Sequence, residues 1–315
     1  MSIQRHNDDA LTGAQAKQDD EWQLWAQFPT SVCPDLTYMR ETDSTNAQLV
    51  QQVEDTIAQG QVSSLEPYTT VVASQQTQGR GRYARAWMDA PGALLFSTLV
   101  KVPTPYLSWV TLVAGLALKK ATQVPNTQLK WPNDLLLDGR KIAGILSEHV
   151  AAAGQTEAEG EQHWVVVGVG LNIGQVPSVE NPLNAVPAGA LETDPNERPQ
   201  ILKRFLEELR TYLQDLTQVN AGEAKLREWQ AEYMGASIGA GSEASVTLAT
   251  GERLEGTMLG VGLLGTLELE VDGERRSVTT ADVALSAKAG TDPSRVGHVE
   301  IRDEGSEAAN AEGSR

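Results

Sequence analysis

The sequence predicts an α+β protein in which a larger mixed domain is followed by a small β-barrel. Between residues 36 and 233, short apolar runs bounded by glycine or proline alternate with longer amphipathic segments, as strands and helices do within one domain. Beyond residue 235, roughly 50 residues carry closely spaced strand-like runs separated by glycine-containing turns, which is typical of a small barrel. The chain has 315 residues, enough for both units.

Changes in composition predict the domain boundaries. Residues 21–234 form the predicted larger domain, and residues 235–286 form the predicted barrel. Residues 1–20 and 287–315 are polar, so they are predicted to be disordered tails that contribute little to a core.

Apolar residues that recur at helical spacing predict the helices. Asp43, Ser44 and Thr45 precede one such run and are typical of a helix N-cap, and Gly60 ends that run. Residues 103–122 carry Leu, Val and Ala on nearly every side of the predicted helix, so we expect this helix to be largely buried. The predicted helices span residues 21–28, 47–57, 103–122, 198–219 and 223–233.

Short apolar runs bounded by turn residues predict the strands. Asp138-Gly139 between two apolar runs is a strong hairpin signal, which puts Lys141 at the start of the second strand. Residues 151–162 are small and polar and are expected to form a mobile loop. The predicted strands of the larger domain span residues 36–40, 71–73, 93–96, 135–137, 142–146 and 163–173.

Composition and charge argue against several classes of protein. With 42 acidic and 25 basic residues the net charge is −17, which repels nucleic acid, so we expect no such partner. No run approaches the roughly 20 apolar residues that span a bilayer, and the N-terminus lacks a signal-peptide core. Cys33 is the only cysteine, which excludes a disulfide within the chain, and no histidine neighbours it as a nucleophile would require. We therefore expect a cytoplasmic protein without a membrane partner.

A basic loop between two predicted strands is the most unusual stretch of this acidic chain. Residues 76–87 read QTQGRGRYARAW. Arginine offers a fork of donors that matches phosphate or carboxylate oxygens, and glycine lets the backbone bend and approach a ligand. Because isolated Arg-Gly pairs usually form solvated turns, the loop alone indicates only that an anion could bind there.

Four further stretches carry polar residues on glycine-containing or proline-constrained backbone. Each has a simple structural explanation by itself, such as helix capping for Ser44 and Thr45 or a solvated turn for Lys141. Their combination and order are more informative than any one of them. The four stretches are residues 44–46, 130–134, 141–144 and 168–172.

In this order, the motifs resemble those of the biotin–protein ligases, also called biotin–[acetyl-CoA-carboxylase] ligases. The matching segments are Gly-Arg-Gly-Arg, Lys-Trp-Pro-Asn-Asp, Arg-Lys-x-Ala-Gly-Ile-Leu and Gly-x-Gly-x-Asn, within residues 41–174. The resemblance implies a mixed-sheet catalytic domain like that of class II synthetases, followed by an SH3-like C-terminal barrel.

The resemblance also implies a reaction in two steps. The carboxylate of biotin attacks the α-phosphorus of ATP and gives biotinyl-5′-adenylate and pyrophosphate. A lysine of a biotin carboxyl carrier protein domain then attacks this mixed anhydride and releases AMP. Cationic donors would offset the repulsion between the two anions of the first step. ATP, Mg²⁺ and biotin are therefore the expected ligands.

The residues that match the family's motifs carry the expected roles. The predicted catalytic residues are Lys141, Arg80, Arg82 and Asp134. Asp134 would either orient a phosphate that carries Mg²⁺ or receive the proton of the incoming lysine. The predicted biotin-binding residues are Ser44, Thr45, Gln76, Arg80, Lys141, Gly144 and Gly168. The predicted ATP- or adenylate-binding residues are Arg82, Trp87, Lys130, Asn133 and Asn172.

Ala84 departs from the family pattern, because the loop often has a glycine there, and alanine would stiffen it. Only about 40 residues precede the match, and this stretch is acidic, so we expect a ligase-only form without an N-terminal DNA-binding domain. A lipoate–protein ligase, which shares the catalytic fold, and a non-catalytic biotin sensor are the alternatives. The paired Gly-Arg-Gly-Arg and Lys-Trp-Pro-Asn-Asp segments argue against the first. The second is disfavoured by the intact Lys141, Arg80, Arg82 and Asp134.

Overall fold

The computed structural model describes residues 4–5, 21–156, 160–178, 186–217 and 222–285. Both predicted tails lie outside these ranges, apart from Gln4–Arg5, which form a two-residue strand. The strands of the larger domain are Gln4–Arg5 (β1), Leu36–Thr42 (β2), Thr70–Gln76 (β3), Leu94–Pro103 (β4), Thr127–Lys130 (β5), Asp134–Leu137 (β6), Arg140–Thr156 (β7) and Gly160–Leu171 (β8).

These eight strands form one mixed sheet in the order β1-β2-β3-β4-β8-β7-β6-β5. The pairs β1–β2 and β2–β3 are parallel, and every other neighbouring pair is antiparallel. The predicted mixed sheet is therefore confirmed.

Helices cover both faces of this sheet. They are residues 21–25 (α1), Thr45–Ala58 (α2), Val110–Thr122 (α3), Arg198–Leu213 (α4) and Gly222–Ala236 (α5). Val71 and Val72 are adjacent on β3 and so point to opposite faces. Val71 packs with Leu49 of α2, whereas Val72 joins the larger core under α3 and α4. None of the helices in the described ranges is long and apolar enough to cross a membrane.

The hairpin signal at Asp138-Gly139 is confirmed. The two residues have positive φ angles of 48° and 73° and join β6 to β7. Positive φ at both central residues is what a type I′ turn requires, and its twist matches that of the flanking strands.

The prediction of a mobile loop at residues 151–162 is wrong for residues 151–156 and 160–162, which form strands, whereas residues 157–159 lie outside the described ranges. β7 continues to Thr156, and its pairing with β8 extends to Thr156↔Gly160. Small and polar side chains favour strands weakly, but β8 is held on its other side by β4 and offers β7 a row of main-chain partners. Tertiary pairing thus overrides the local preference of this segment.

A second, antiparallel sheet forms the C-terminal unit, called here the small β-domain (residues 243–285). Its strands are Glu243–Leu248 (β9), Arg253–Val261 (β10), Leu267–Val271 (β11), Glu274–Val278 (β12) and Ala281–Leu285 (β13). Their order is β12-β11-β10-β9-β13. Within the described part of the chain, the edge strands β12 and β13 do not pair, so the predicted small barrel is not closed. β12 exposes four of its five residues, so it has little apolar surface with which to close against another strand.

Two tryptophans join the small β-domain to the larger domain. Trp109 Nε1 donates to the carbonyl of Leu263 at 2.8 Å, and Trp131 Nε1 donates to the carbonyl of Gly265 at 3.0 Å. Both indoles are buried, and Trp109 also packs against Trp229 of α5. Because the rings fill an apolar core shared by the two units, their relative position is set by packing as well as by these bonds.

Candidate functional site

A cavity of about 320 Å³ lies where the loops of the larger sheet face the small β-domain. Its wall is formed by the start of α2, the basic loop after β3, the β5–β6 turn, β7, β8 and two strands of the small β-domain. All the predicted site residues except Asn172 line it. They are Ser44, Thr45, Gln76, Arg80, Arg82, Trp87, Lys130, Asn133, Asp134, Lys141, Gly144 and Gly168.

Asp134 lies between two lysines in this wall. A tight connection between β5 and β6 pairs Lys130 with Asp134 across the ladder, with Nζ 4.0 Å from Oδ2. Lys141 reaches the same carboxylate from β7, after a register shift at Leu135 and Leu136. Its Nζ lies 2.6 Å from Asp134 Oδ1, so the two groups form an ion pair, but the angles between them do not fit a hydrogen bond. Two ammonium groups around one carboxylate leave an excess positive charge that suits an anion.

Lys130 is buried, with 9% of its surface exposed. Burial lowers the pKa of its ammonium below the ordinary 10.5, and the neighbouring Lys141 acts in the same direction, whereas Asp134 opposes the shift. An anionic ligand in the cavity would favour the charged form of Lys130 and raise its pKa.

The start of α2 supplies a part of the wall that is polar but uncharged. Gln76 Oε1 accepts hydrogen bonds from the backbone N and the hydroxyl of Thr45, at 2.8 and 3.2 Å. Ser44 occupies the N-cap position, but its side chain makes no capping hydrogen bond. The buried Ser44 hydroxyl is therefore not used by the helix, which favours a ligand-binding role over the simple capping explanation.

Asn46 lies against Gly168 and ties three elements together. Its Oδ1 accepts from Ser97 Oγ at 2.5 Å, and its Nδ2 donates to the carbonyl of Leu146 at 3.2 Å and to Glu148 Oε2 at 2.6 Å. A Cβ added at Gly168 would stand 1.8 Å from Asn46 Oδ1. The close approach at Gly168 is thus made by the side chain of Asn46.

Trp87 packs against Gly144 and Gly170. A Cβ at Gly170 would overlap the indole, and a Cβ at Gly144 would stand 3.0 Å from it. Lys141 Nζ lies 5.7 Å from the centre of the ring. Among the described residues, the buried Trp87 Nε1 has no hydrogen-bond partner. The indole therefore faces the cavity beside the ion pair, with one donor unused.

Within the basic loop, residues 79–87 fold back as a short hairpin. Trp87 N donates to the carbonyl of Gly79 at 2.8 Å, and Gly81 N donates to the carbonyl of Arg85 at 2.7 Å. Tyr83 and Ala84 at its tip have φ angles of 55° and 56°. This left-handed region favours glycine, which accounts for the glycine that the family often has at the position of Ala84.

The arginines of the basic loop are held by protein acceptors. Arg80 Nη1 lies 3.5 Å from Glu148 Oε1, with half of the arginine side chain exposed. Arg82 and Arg85 turn toward the small β-domain and contact residues 280–282. The role in phosphate binding that we expect of Arg80 and Arg82 would require these contacts to be shared or exchanged.

Asn172 lies behind the wall of the cavity. It is 2% exposed, and its Nδ2 donates to the carbonyl of Gly189 at 2.9 Å. The backbone carbonyl of Asn172 accepts a hydrogen bond from Leu191 N, also at 2.9 Å. These bonds fasten the end of β8 to residues 189–191. The structure does not bring Asn172 to the cavity, and its contact with ATP stays a prediction.

Several residues that line the cavity were not predicted. Asn46 directly follows Ser44 and Thr45, and Arg85 lies in the basic loop, so their neighbourhood was a usable signal. The small β-domain carries no recognisable motif, and only folding brings its residues to the site. The unpredicted polar lining residues are Asn46, Arg85, Ser245, Thr247 and Asp282.

The chain resembles known proteins both in sequence and in fold. Residues 42–172 match the biotin/lipoate A/B protein ligase family. The biotin–[acetyl-CoA-carboxylase] ligase of Mycobacterium tuberculosis is 32% identical over 265 residues, which cover 79% of this chain and 88% of that protein. The enzyme of the same name from Paracoccus denitrificans is 35% identical over 150 residues, which cover 44% of this chain and 55% of that protein. A structure of biotin protein ligase from Aquifex aeolicus in complex with biotin and ATP has a TM-score of 0.57 and 24% identity, covering 81% of this chain and 99% of that chain.

Proposed function

This chain belongs to the biotin protein ligases of the biotin/lipoate A/B protein ligase family, and we propose that it joins biotin to a protein lysine at the expense of ATP. The relatives named above are biotin ligases, which favours biotin over lipoate as the substrate. The protein acceptor in this proposal is a biotin carboxyl carrier protein domain.

The observation that carries the proposal is the composition of the single cavity that holds the predicted residues. Uncharged donors and acceptors at Thr45 and Gln76 suit the ureido ring of biotin, which is neutral and both donates and accepts hydrogen bonds. Lys141, Lys130 and the loop arginines suit the carboxylate and the phosphates.

In the first step, the cations of the wall bring two anions together. The carboxylate oxygen of biotin forms a bond to the α-phosphorus of ATP, and the bond to the bridging oxygen of pyrophosphate breaks. The role that we assign to Lys141 is supported by its position in the wall, where Asp134 at 2.6 Å is its one ion-pair partner among the described residues. Electrostatic stabilisation of this kind acts most strongly on the charge that develops in the transition state.

In the second step, the amine of the carrier lysine bonds to the carbonyl carbon of the adenylate, AMP leaves, and the amine loses a proton. Asp134 is a carboxylate of the cavity wall that could receive this proton. Closure of the basic loop would keep water from the anhydride between the two steps.

Magnesium would enter with the phosphates of ATP. Within the described ranges, no cluster of three or more His, Cys, Asp or Glu side chains is arranged to hold a metal. Mg²⁺ usually keeps several waters and needs only one or two carboxylates besides the phosphates. The single carboxylate of Asp134 would therefore be sufficient. When bound, Mg²⁺ would neutralise phosphate charge.

Biotin-dependent exchange of labelled pyrophosphate into ATP tests the first step, and labelling of a carrier domain tests the second. We expect both with biotin and neither with lipoate. Lys141→Ala should lower adenylate synthesis by roughly 10²- to 10³-fold, the usual effect of removing one such donor. Lys203→Ala, which removes an exposed lysine of α4 that pairs with Glu207, is the matched control. Exchange with lipoate in place of biotin, or near-normal exchange by Lys141→Ala, would contradict the proposal.

A further inference from the structure

The tip of the basic loop is bound to β13 of the small β-domain. Arg82 donates to the carbonyl of Ala281 at 3.0 Å and to Thr280 Oγ1 at 2.7 Å. The Tyr83 hydroxyl lies 3.0 Å from the same Thr280 Oγ1. These contacts join residues almost 200 positions apart in sequence, so they form only when both domains are in place.

Asp282 adds the charged part of this contact. Its carboxylate forms a short ion pair with Arg85 and lies 3.9 Å from Arg82 Nη1. The Arg82 side chain is only 16% exposed, so its charge is partly removed from water. Asp282 and both arginines also line the cavity, and the contact is therefore a part of the wall of the site.

The backbone of the loop tip needs such support. Tyr83 and Ala84 both have φ in the left-handed region, where residues with a Cβ are strained. Two successive strained residues persist only where surrounding contacts hold them. The contacts that Arg82, Tyr83 and Arg85 make with residues 280–282 supply that hold.

We propose that Asp282 is a positioning residue that, by pairing with Arg85 and Arg82, holds the basic loop against the small β-domain over the cavity. The small β-domain thereby controls how long the adenylate stays enclosed. This inference rests on the proposed ligase function, and it assigns Asp282 no contact with the reacting atoms.

The first test measures escape of the adenylate separately from its synthesis. The full-length protein is loaded with labelled biotin and ATP, freed of excess ligand, and chased with unlabelled biotin. Asp282→Asn keeps the shape of the side chain and removes its charge, and should release the adenylate roughly fivefold faster, since an exposed ion pair contributes up to about that factor. Asp272→Asn is the control, because Asp272 lies in the β11–β12 turn, away from β13 in the sheet order.

A second readout needs no catalysis. Trypsin cleaves after arginine, so its rate of cutting within residues 80–85 reports how firmly the loop is held in the ligand-free protein. Asp282→Asn should be cut faster than the wild-type protein and Asp272→Asn should not.

The outcomes separate the two proposals. If no adenylate forms in the wild-type protein, the proposed function fails, whereas the trypsin comparison still tests the loop contact. If adenylate forms but escapes from Asp282→Asn as slowly as from the wild-type protein, or more slowly, the positioning role of Asp282 is refuted.

Discussion

Replacing Gly168 by alanine should displace Asn46, its neighbour in the wall of the site. The added Cβ would stand 1.8 Å from Asn46 Oδ1, far inside the separation of atoms in contact. Asn46 would have to retreat by about 1.5 Å or more to restore an ordinary contact. Asn46 is 4% exposed and held by three hydrogen bonds, so it cannot retreat that far without leaving those partners.

The size of the effect follows from the bonds that such a movement breaks. Asn46 is held by Ser97, Leu146 and Glu148 at distances of 2.5, 3.2 and 2.6 Å. A neutral hydrogen bond contributes about 0.5–1.5 kcal/mol to stability, and a bond to a charged group contributes about 1.5–3 kcal/mol. We therefore expect Gly168→Ala to lower the free energy of unfolding by roughly 3–5 kcal/mol.

Urea denaturation of the single and double variants measures this effect. In an Asn46→Ala background the amide is already gone, so adding Gly168→Ala should have a much smaller effect, with a coupling of roughly 2–3 kcal/mol. Gly235→Ala is the control, because a Cβ there meets nothing within 4 Å in α5, and it should leave stability unchanged or slightly higher. If Gly168→Ala unfolds at the same urea concentration as the wild-type protein, the inferred close packing is wrong.

Three other substitutions or reagents test the physical chemistry of the site and the core. Because burial lowers the pKa of Lys130, the folded state disfavours its charged form; Lys130→Met should raise the free energy of unfolding at pH 7 by roughly 1 kcal/mol while weakening ATP binding. This gain should shrink as the pH rises toward 10.5, where the wild-type lysine loses its charge. Urea denaturation at pH 7 and at pH 10 measures the gain, and an equal gain at both pH values would refute this reasoning. Ala84→Gly should raise the free energy of unfolding by about 1 kcal/mol, because φ is 56° at this position. A lower free energy of unfolding, as glycine usually causes, would argue against the strained turn. Burial raises the pKa of the Cys33 thiol to about 11, so at pH 8 only about 0.1% is thiolate, and a disulfide reagent should react quickly only after denaturation.

The sequence was most informative where the signal is local. The turn at Asp138-Gly139 needed only two adjacent residues with positive φ, and the helix from Thr45 needed only its apolar spacing. Motif order was enough to indicate the family and twelve residues that line one cavity. The long β7–β8 hairpin and the open small sheet were not predicted, because both depend on which strands find partners elsewhere in the chain.

The lysines, arginines and amides of the site, on glycine-containing backbone and in the order of a biotin ligase, can be read from the amino-acid sequence. Their arrangement in space comes only with folding. It placed Asp134 against Lys141, put Asn46 over Gly168, and gave the basic loop a partner in Asp282. Each residue has its side chain whatever the fold. A pairing between distant residues, in contrast, exists only after folding has brought them together and buried the surfaces between them.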